Sequence, residues 1–448
     1  MSRLPRIKPT RLAMTLAVPL AALLPALLAL PAMAENTALP SAITRQIANI
    51  TPAVTAWRQD IHQHPELGNR ETRTAALVAK HLTSLGMEVN THIAYTGVVG
   101  ILKGAKPGPV IALRADMDAL PVTEETGLAF SSKVRTQYNG EEVGVAHACG
   151  HDMHVAMLMG AAQVLAEHKD ELAGTVLFVF QPAEEGPPDG EAGGAELMLK
   201  EGLFAKLKPE AMFALHVMPS PLGQLAVRTQ GQLASADSLN IKVSGKQTHG
   251  GQPWGGIDPI VTASQIVMGL QTITSRQLDV TKTPSVISIG SIKGGVRGNI
   301  IPEDVVMEGT IRTFDNDTRA EIHQRIEQIA VNIANSAGAS AKVSFSGGIP
   351  ATINDAKLTN AMIPTLQRLA GNNFVEAERS MAAEDFAFFA ETVPSMYVFL
   401  GVNSPDSDQI YYNHSPNFNP DERALPIGVS TLTALVLDYG KQHPTAAK

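Results

Sequence analysis

The chain of 448 residues carries 44% apolar side chains, enough to bury a large core and, by length, two or three domains. Its formal charge of −8 argues against nucleic acid or an anionic bilayer as the main partner, because both reward clustered Lys and Arg. A single cysteine, Cys149, excludes an internal disulfide and leaves either an inert buried thiol or a metal ligand.

The N-terminus reads as a targeting segment. Arg3, Arg6, Lys8 and Arg11 precede an apolar stretch from Leu12 to Leu30 that closes on Ala32-Met33-Ala34, the pattern of a secretory signal cleaved after Ala34. Pro19, Pro25 and Pro31 interrupt the stretch, which favours cleavage over a retained anchor. The expected location is periplasmic or secreted, with no membrane contact after the signal is removed.

A helical pattern runs from Ala53 to Leu85, and short β-rich runs then alternate with helical stretches, the rhythm of an α/β domain around a mostly parallel sheet. Four runs end on polar groups. Val110–Leu113 leads into Asp116 and Asp118, Val176–Phe180 into Glu184 and Glu185, Met212–Leu215 into His216, and Tyr397–Leu400 into the loop carrying His414. Ligands of open α/β sheets sit beyond the carboxyl ends of the strands, so these groups are expected to converge on one rim.

From Gln230 to Ser346 the order becomes strand, helix, strand, strand, helix, strand, a ferredoxin-like βαββαβ insertion. Asp258-Pro259 opens its first helix as N-cap and first residue, and Ile322, Ile326, Ile329 and Ile333, spaced four, three and four apart, mark its second. A further helix is expected near Met362 to Leu369. The expected division is a signal over 1–34, a catalytic domain over 35–229 and 347–448, and a dimerisation or lid domain over 230–346.

Chemistry concentrates in His147-Ala148-Cys149-Gly150-His151-Asp152-Met153-His154. Packing hardly explains so dense a set, whereas thiolate and imidazole suit zinc and its neighbours. Glu184-Glu185 could supply one metal ligand and one general base. His216 adds an imidazole after a buried-looking strand; His414, alone, reads as a loop histidine.

Together these residues resemble a known family. The blocks are His62-Gln63-His64-Pro65-Glu66-Leu67, Arg114 to Pro121, His147 to His154, Gln181-Pro182-Ala183-Glu184-Glu185-Gly186, Asn299-Ile300-Ile301-Pro302, Glu384-Asp385-Phe386 and His414-Ser415-Pro416. The chain after the signal is similar to the hippurate hydrolases and N-acyl-amino-acid amidohydrolases, the aminoacylase and carboxypeptidase-like di-metal peptidases that include plant auxin-conjugate hydrolases. The resemblance implies two divalent ions per subunit, zinc first, with manganese, cobalt or nickel as alternatives. It implies that Cys149, His151, Glu185, His216 and His414 hold them, that Glu184 is the catalytic base, and that Asp118 is a supporting carboxylate behind the ligands. His249 matches a histidine that reaches across a homodimer into the partner's site, and Asn299 and Arg312 match residues that hold substrate polar groups.

The chain departs from the family at His249-Gly250-Gly251-Gln252-Pro253-Trp254, where Trp254 replaces a second histidine. That leaves two readings, an aromatic pocket wall or a residue packed at the domain hinge. The expected activity is hydrolysis of N-acyl or N-aroyl amino acids, hippurate-like or ochratoxin-like. A dipeptidase or amino-acid carboxypeptidase is the enzymatic alternative, and an exported, non-catalytic binder of acyl-amino acids or metal is the alternative of another class.

Overall fold

The computed structural model describes residues 39–444, so the secretory-signal reading of Arg3–Ala34 lies outside the described residues. Within them, no helix is long and apolar enough to cross a membrane.

An eight-stranded sheet forms the centre, in the order Glu88–Ile93, Gly97–Lys103, Ala173–Gln181, Lys106–Asp116, Ala211–Pro221, Ser395–Asn403, Leu225–Val227, Phe374–Glu376. The four middle strands run parallel, and an antiparallel hairpin closes one edge. Successive side chains of a strand point to opposite faces, and here both faces are apolar, as parallel sheets require. Ile111, Leu113, Phe178, Phe180 and Phe213 pack under the helices Ser41–Gln63, His151–Glu167 and Leu425–Gln442. Their alternates Ala112, Leu177, Val179, Met212 and Ala214 face the short helices Gly194–Lys200 and Phe386–Thr392. This is the expected α/β architecture.

The helical pattern over Ala53–Leu85 is two helices, Ser41–Gln63 and Thr72–Ser84, rather than one. Pro65 disfavours helical backbone at His64. Glu66 then restarts the chain, its carboxylate accepting the N–H groups of Arg73 and Thr74, both at 2.9 Å.

A separate four-stranded antiparallel sheet, in the order Ser285–Gly294, Asp304–Thr313, Ala236–Ser244, Ser340–Ile349, carries the helices Pro259–Thr272 and Asn316–Ser336 on one face. This order is ferredoxin-like. Asp258 caps the first helix by accepting from Ile260 and Val261, and Ile322 and Ile326 are fully buried beneath the second.

Candidate metal centre and active site

The polar groups meet where the parallel strands end. Gly150 holds the turn before the helix His151–Glu167 at φ +90°, and a Cβ there would strike Val217 at 2.4 Å. Only glycine lets this turn lie against the end of the His216 strand. As a result Cys149 Sγ stands 3.5 Å from His216 Nε2, with both side chains buried. The backbone N–H of His414 donates to Ala148 O at 2.7 Å, and the Asn413 amide donates to Cys149 O at 3.1 Å, which ties the distant loop to the thiol.

Hydrogen bonds decide which nitrogen each imidazole can offer. His216 Nδ1 lies 2.8 Å from Val217 O and must donate to it, leaving an Nε2 lone pair toward Cys149. His151 Nδ1 donates likewise to Asp118 O at 2.8 Å, and its buried Nε2 has no hydrogen-bond partner among the described residues. That Nε2 lies 3.8 Å from Glu184 Oε2. His414 Nε2 and Glu185 Oε1 are 3.0 Å apart, yet Oε1 makes no hydrogen bond of acceptable geometry among the described residues. Asp118 steadies the set twice, through its carbonyl and through Oδ2, which accepts the Glu185 N–H at 2.9 Å.

This donor set fits metal. Donors about 2.0–2.3 Å from a tetrahedral ion stand roughly 3.3–3.8 Å apart; the 3.5 Å Cys149–His216 separation falls in that range, and the 3.0 Å His414–Glu185 separation is a few tenths of an ångström shorter. Ligand atoms of Cys149, His151 and Glu185 lie within 4.8 Å of one another. Orphaned buried atoms such as His151 Nε2 are what an ion would satisfy.

The electrostatics agree. Burial lowers the His151 pKa, but Asp116 and Asp118 outweigh it and push the ring up to about 10, so the same field favours a cation at Nε2. Burial beside Glu185, Glu184 and Asp116 drives the Cys149 thiol well above its usual range. Burial and His154 hold the His216 imidazole well below its usual range, in the lone-pair form a ligand needs. Burial opposes ionisation of Glu185, but the His414 imidazole 3.0 Å away and the nearby His151 charge bring it below normal. Burial, with the Glu384 and Glu185 charges, raises Glu184 well above normal. Adjacent carboxyls are thus driven apart, one toward ligand and one toward proton carrier.

Four residues to which the sequence assigns no ligand, base or supporting role, Asp116, His154, Arg114 and Glu384, complete the site. Asp116 joins His151, His154 and His216 in a buried group with ligand atoms within 4.8 Å. His154 Nε2 accepts the Val217 N–H at 2.9 Å, so Nδ1 carries the hydrogen that Asp116 receives at 2.6 Å, and neither nitrogen is free for an ion. Below them, the buried Arg114 binds Asp116 at 2.6 Å, Glu384 at 2.8 Å and Gln181 at 2.8 Å. Glu384 also accepts the Tyr397 hydroxyl, and its carboxylate lies within 4.8 Å of those of Asp116 and Glu184. Strand periodicity could have exposed this, since Arg114, Asp116 and Asp118 occupy alternate positions, as could the three-residue helical spacing of His151 and His154.

A cavity of about 120 Å³ opens beside these donors, lined by Cys149, Glu184, Glu185, His216 and His414 with apolar Met218, Leu233, Phe399 and Ala383. His249, Asn299 and Arg312 are not on its wall. His249 is exposed and accepts the Gly251 N–H at 2.9 Å, and Asn299 lies beside it, its carbonyl accepting from Gly250 at 2.8 Å. Arg312 is half-buried in its strand, opposite Val286. Trp254 is 82% exposed, so within one chain it neither packs at a hinge nor walls this cavity.

The profile of peptidase family M20/M25/M40 matches residues 112–438. The thermostable carboxypeptidase 1 of Saccharolobus solfataricus is 40% identical over 388 residues, covering 86% of this chain and 95% of the relative. An N-acetylcysteine deacetylase of Bacillus subtilis is 37% identical over 386 residues, covering 85% and 96%. The crystal structure of the Bacillus subtilis YXEP protein, described as a dinuclear metal-binding peptidase of the M20 family, superposes with a TM-score of 0.73 at 34% identity, covering 88% of this chain and 99% of that one. A buried thiol, imidazoles with free lone pairs and paired carboxylates at one sheet rim, with these relatives, lead to one conclusion: the chain belongs to peptidase family M20/M25/M40 and is a metal-dependent amidohydrolase.

Proposed function

We propose that the chain releases free amino acids from N-acyl or N-aroyl amino acids, with Glu184 as general base, and that Cys149, His151, Glu185, His216 and His414 hold two divalent ions, zinc first. The observation that carries the reading is the unequal pair Glu184–Glu185: one carboxylate faces His414, while the other lies buried 3.8 Å from an unpartnered imidazole nitrogen with its proton affinity raised. A binder of acyl-amino acids or metal has no use for that second carboxylate.

When bound, such ions polarise the amide carbonyl and bring water toward hydroxide at neutral pH. Glu184 accepts the water proton and delivers it to the departing amine, a shuttle that suits a carboxyl raised by burial and neighbouring charge. Asp118 and the Val217 carbonyl fix the rings of His151 and His216 through Nδ1. Met218, Leu233, Ala383 and Phe399 give the acyl group an apolar wall. Benzoyl and related aroyl groups, as in hippurate or an ochratoxin-like N-aroyl-phenylalanine, suit such a wall. The relative named a deacetylase supports the acyl-amino-acid reading, and the one named a carboxypeptidase keeps peptide substrates in the assay.

The substrate carboxylate is assigned to Arg312, whose planar fork can bond both oxygens, with Asn299. A homodimer through the inserted domain would bring His249 to the partner's site. Two features support it: the edge strand Ser285–Gly294 exposes Ile292, and the helix Pro259–Thr272 exposes Val261 and Met268 at 55% and 71%. Export rests on the Arg3–Ala34 segment. The test is a screen of N-acetyl and N-benzoyl amino acids and dipeptides with metal-reconstituted protein, following free amine with and without chelator. Release that chelator abolishes is expected; metal binding without release from any of them would overturn the enzymatic reading.

A further inference from the structure

Among the few non-glycine residues with positive φ, Ala183 at +51° stands immediately before Glu184–Glu185. A side chain with a Cβ is strained in this region and stays there only where its surroundings hold it. Those surroundings come from the loop that breaks the first helical stretch. Glu71 is fully buried; its Oε1 accepts the Ala183 N–H at 2.8 Å and its Oε2 accepts the Thr96 hydroxyl at 2.6 Å.

The same loop grips the chain after the carboxylates. Gly68 and Gly193 flank the Ala183 methyl, and a Cβ on either would approach it to 3.1 Å. Asn69 donates to Ala192 O at 2.9 Å and to Glu191 at 3.0 Å, and Arg70 pairs with Glu191 at 2.6 Å. On its other side, Glu66 O accepts the Ala119 N–H at 2.8 Å, next to the Asp118 that receives the Glu185 N–H. The segment therefore bridges the two strand ends that carry the acidic residues of the site.

We propose that Glu71 is a positioning residue for the Glu184–Glu185 pair: by holding the Ala183 N–H it fixes the left-handed turn that sends Glu184 toward His151 and Glu185 toward His414. The proposal rests on the amidohydrolase reading above for its catalytic consequence, not for its structural one. Without the acceptor, Ala183 relaxes toward negative φ and both carboxylates leave their places.

The test compares Glu71→Gln, which keeps an acceptor for Ala183, with Glu71→Met, which fills the space and accepts nothing, and with the double variant Glu71→Met/Ala183→Gly. In the metal-reconstituted protein, Glu71→Met is expected to lower kcat about 100-fold, the scale of a small misplacement of catalytic groups, with KM little changed. Glu71→Gln keeps kcat within about threefold. The double variant recovers about tenfold of the loss, because glycine adopts positive φ without strain. A purely structural Glu71 would lower stability alone, leaving kcat per metal-loaded molecule unchanged and the double variant no better than Glu71→Met; that result overturns the proposal.

Amide exchange gives a second readout in metal-free protein. Glu71→Met should speed exchange of the segment 183–186 about tenfold or more, and leave the helix His151–Glu167 as it was. Unchanged exchange at 183–186 overturns the proposal even if wild type proves inactive. Inactive wild type with the exchange effect intact overturns the amidohydrolase reading alone. Should Glu71→Met not fold, Thr96→Val removes the second partner of Glu71, and intermediate changes in kcat and in exchange are expected of it; wild-type values for both would overturn the proposal.

Discussion

The thiol of Cys149 and Nε2 of His216 stand 3.5 Å apart although 67 residues separate them. The contact exists because Gly150 can lie where a Cβ would strike Val217, and because His216 spends Nδ1 on the carbonyl of Val217. Two soft donors are thereby presented to one point, in surroundings where the thiol resists ionisation without a cation.

That resistance predicts proton release. Cys149 enters as a thiol and must leave its proton to ligate, so zinc titration of the metal-free chain at pH 7 should release about one more proton per chain than titration of Cys149→Ala. Calorimetry in buffers of different ionisation enthalpy reads the difference. The variant should also bind zinc at least roughly tenfold more weakly. Equal proton release by both proteins would mean that Cys149 is not a ligand.

Glu184→Gln preserves shape and burial but cannot carry a proton. Its zinc content and melting temperature should match wild type while turnover of an N-acyl amino acid falls about 10²–10⁴-fold, the range of a lost general acid–base. Turnover near wild type would remove Glu184 from the mechanism.

Glu71 makes stability depend on pH in a defined direction. Burial, then the charge of Asp118, push its carboxyl up to about 8 from an ordinary 4.5. Between those values the folded chain keeps a proton that the unfolded chain has lost. The contribution to stability is therefore full below about pH 4.5 and declines as pH rises to about 8, by at most about 1.4 kcal/mol per pH unit. Glu71→Gln should thus gain stability relative to wild type between pH 5 and 7.5, as read from urea midpoints with chelator present. A constant difference would contradict the assigned protonation.

If His249 serves the partner's site, catalysis requires two chains. Met268→Asp should halve the mass seen by light scattering and abolish turnover together. Mixing inactive His249→Ala with inactive Glu184→Gln should restore about a quarter of wild-type activity, because half of randomly formed twofold dimers contain one intact site. No recovery after demonstrated subunit exchange would place His249 outside the reaction.

Much of the site is legible in the sequence itself. A lone cysteine among histidines, paired glutamates after a buried run and His216 after another signalled chemistry because each strand end was marked by an apolar run of the right length. The break in the first helix was harder: its cause is Pro65 with Glu66 capping Arg73 and Thr74, and the amphipathic period continues across it. His414 carried no signal of its own, since its place depends on a backbone bond to Ala148 far away in sequence.

By itself the sequence determined which residues could ligate and that strand ends would bring them to one rim, because strand and helix periodicity are local properties of the chain. The tertiary structure alone decided the rest. It showed that His154 has both nitrogens committed while His151 keeps one free, that Arg114 neutralises the acids below the site, and that Glu71 reaches the backbone before Glu184. Those outcomes depend on which hydrogen-bond partners remain unclaimed once segments distant in sequence have packed, and no local pattern encodes that.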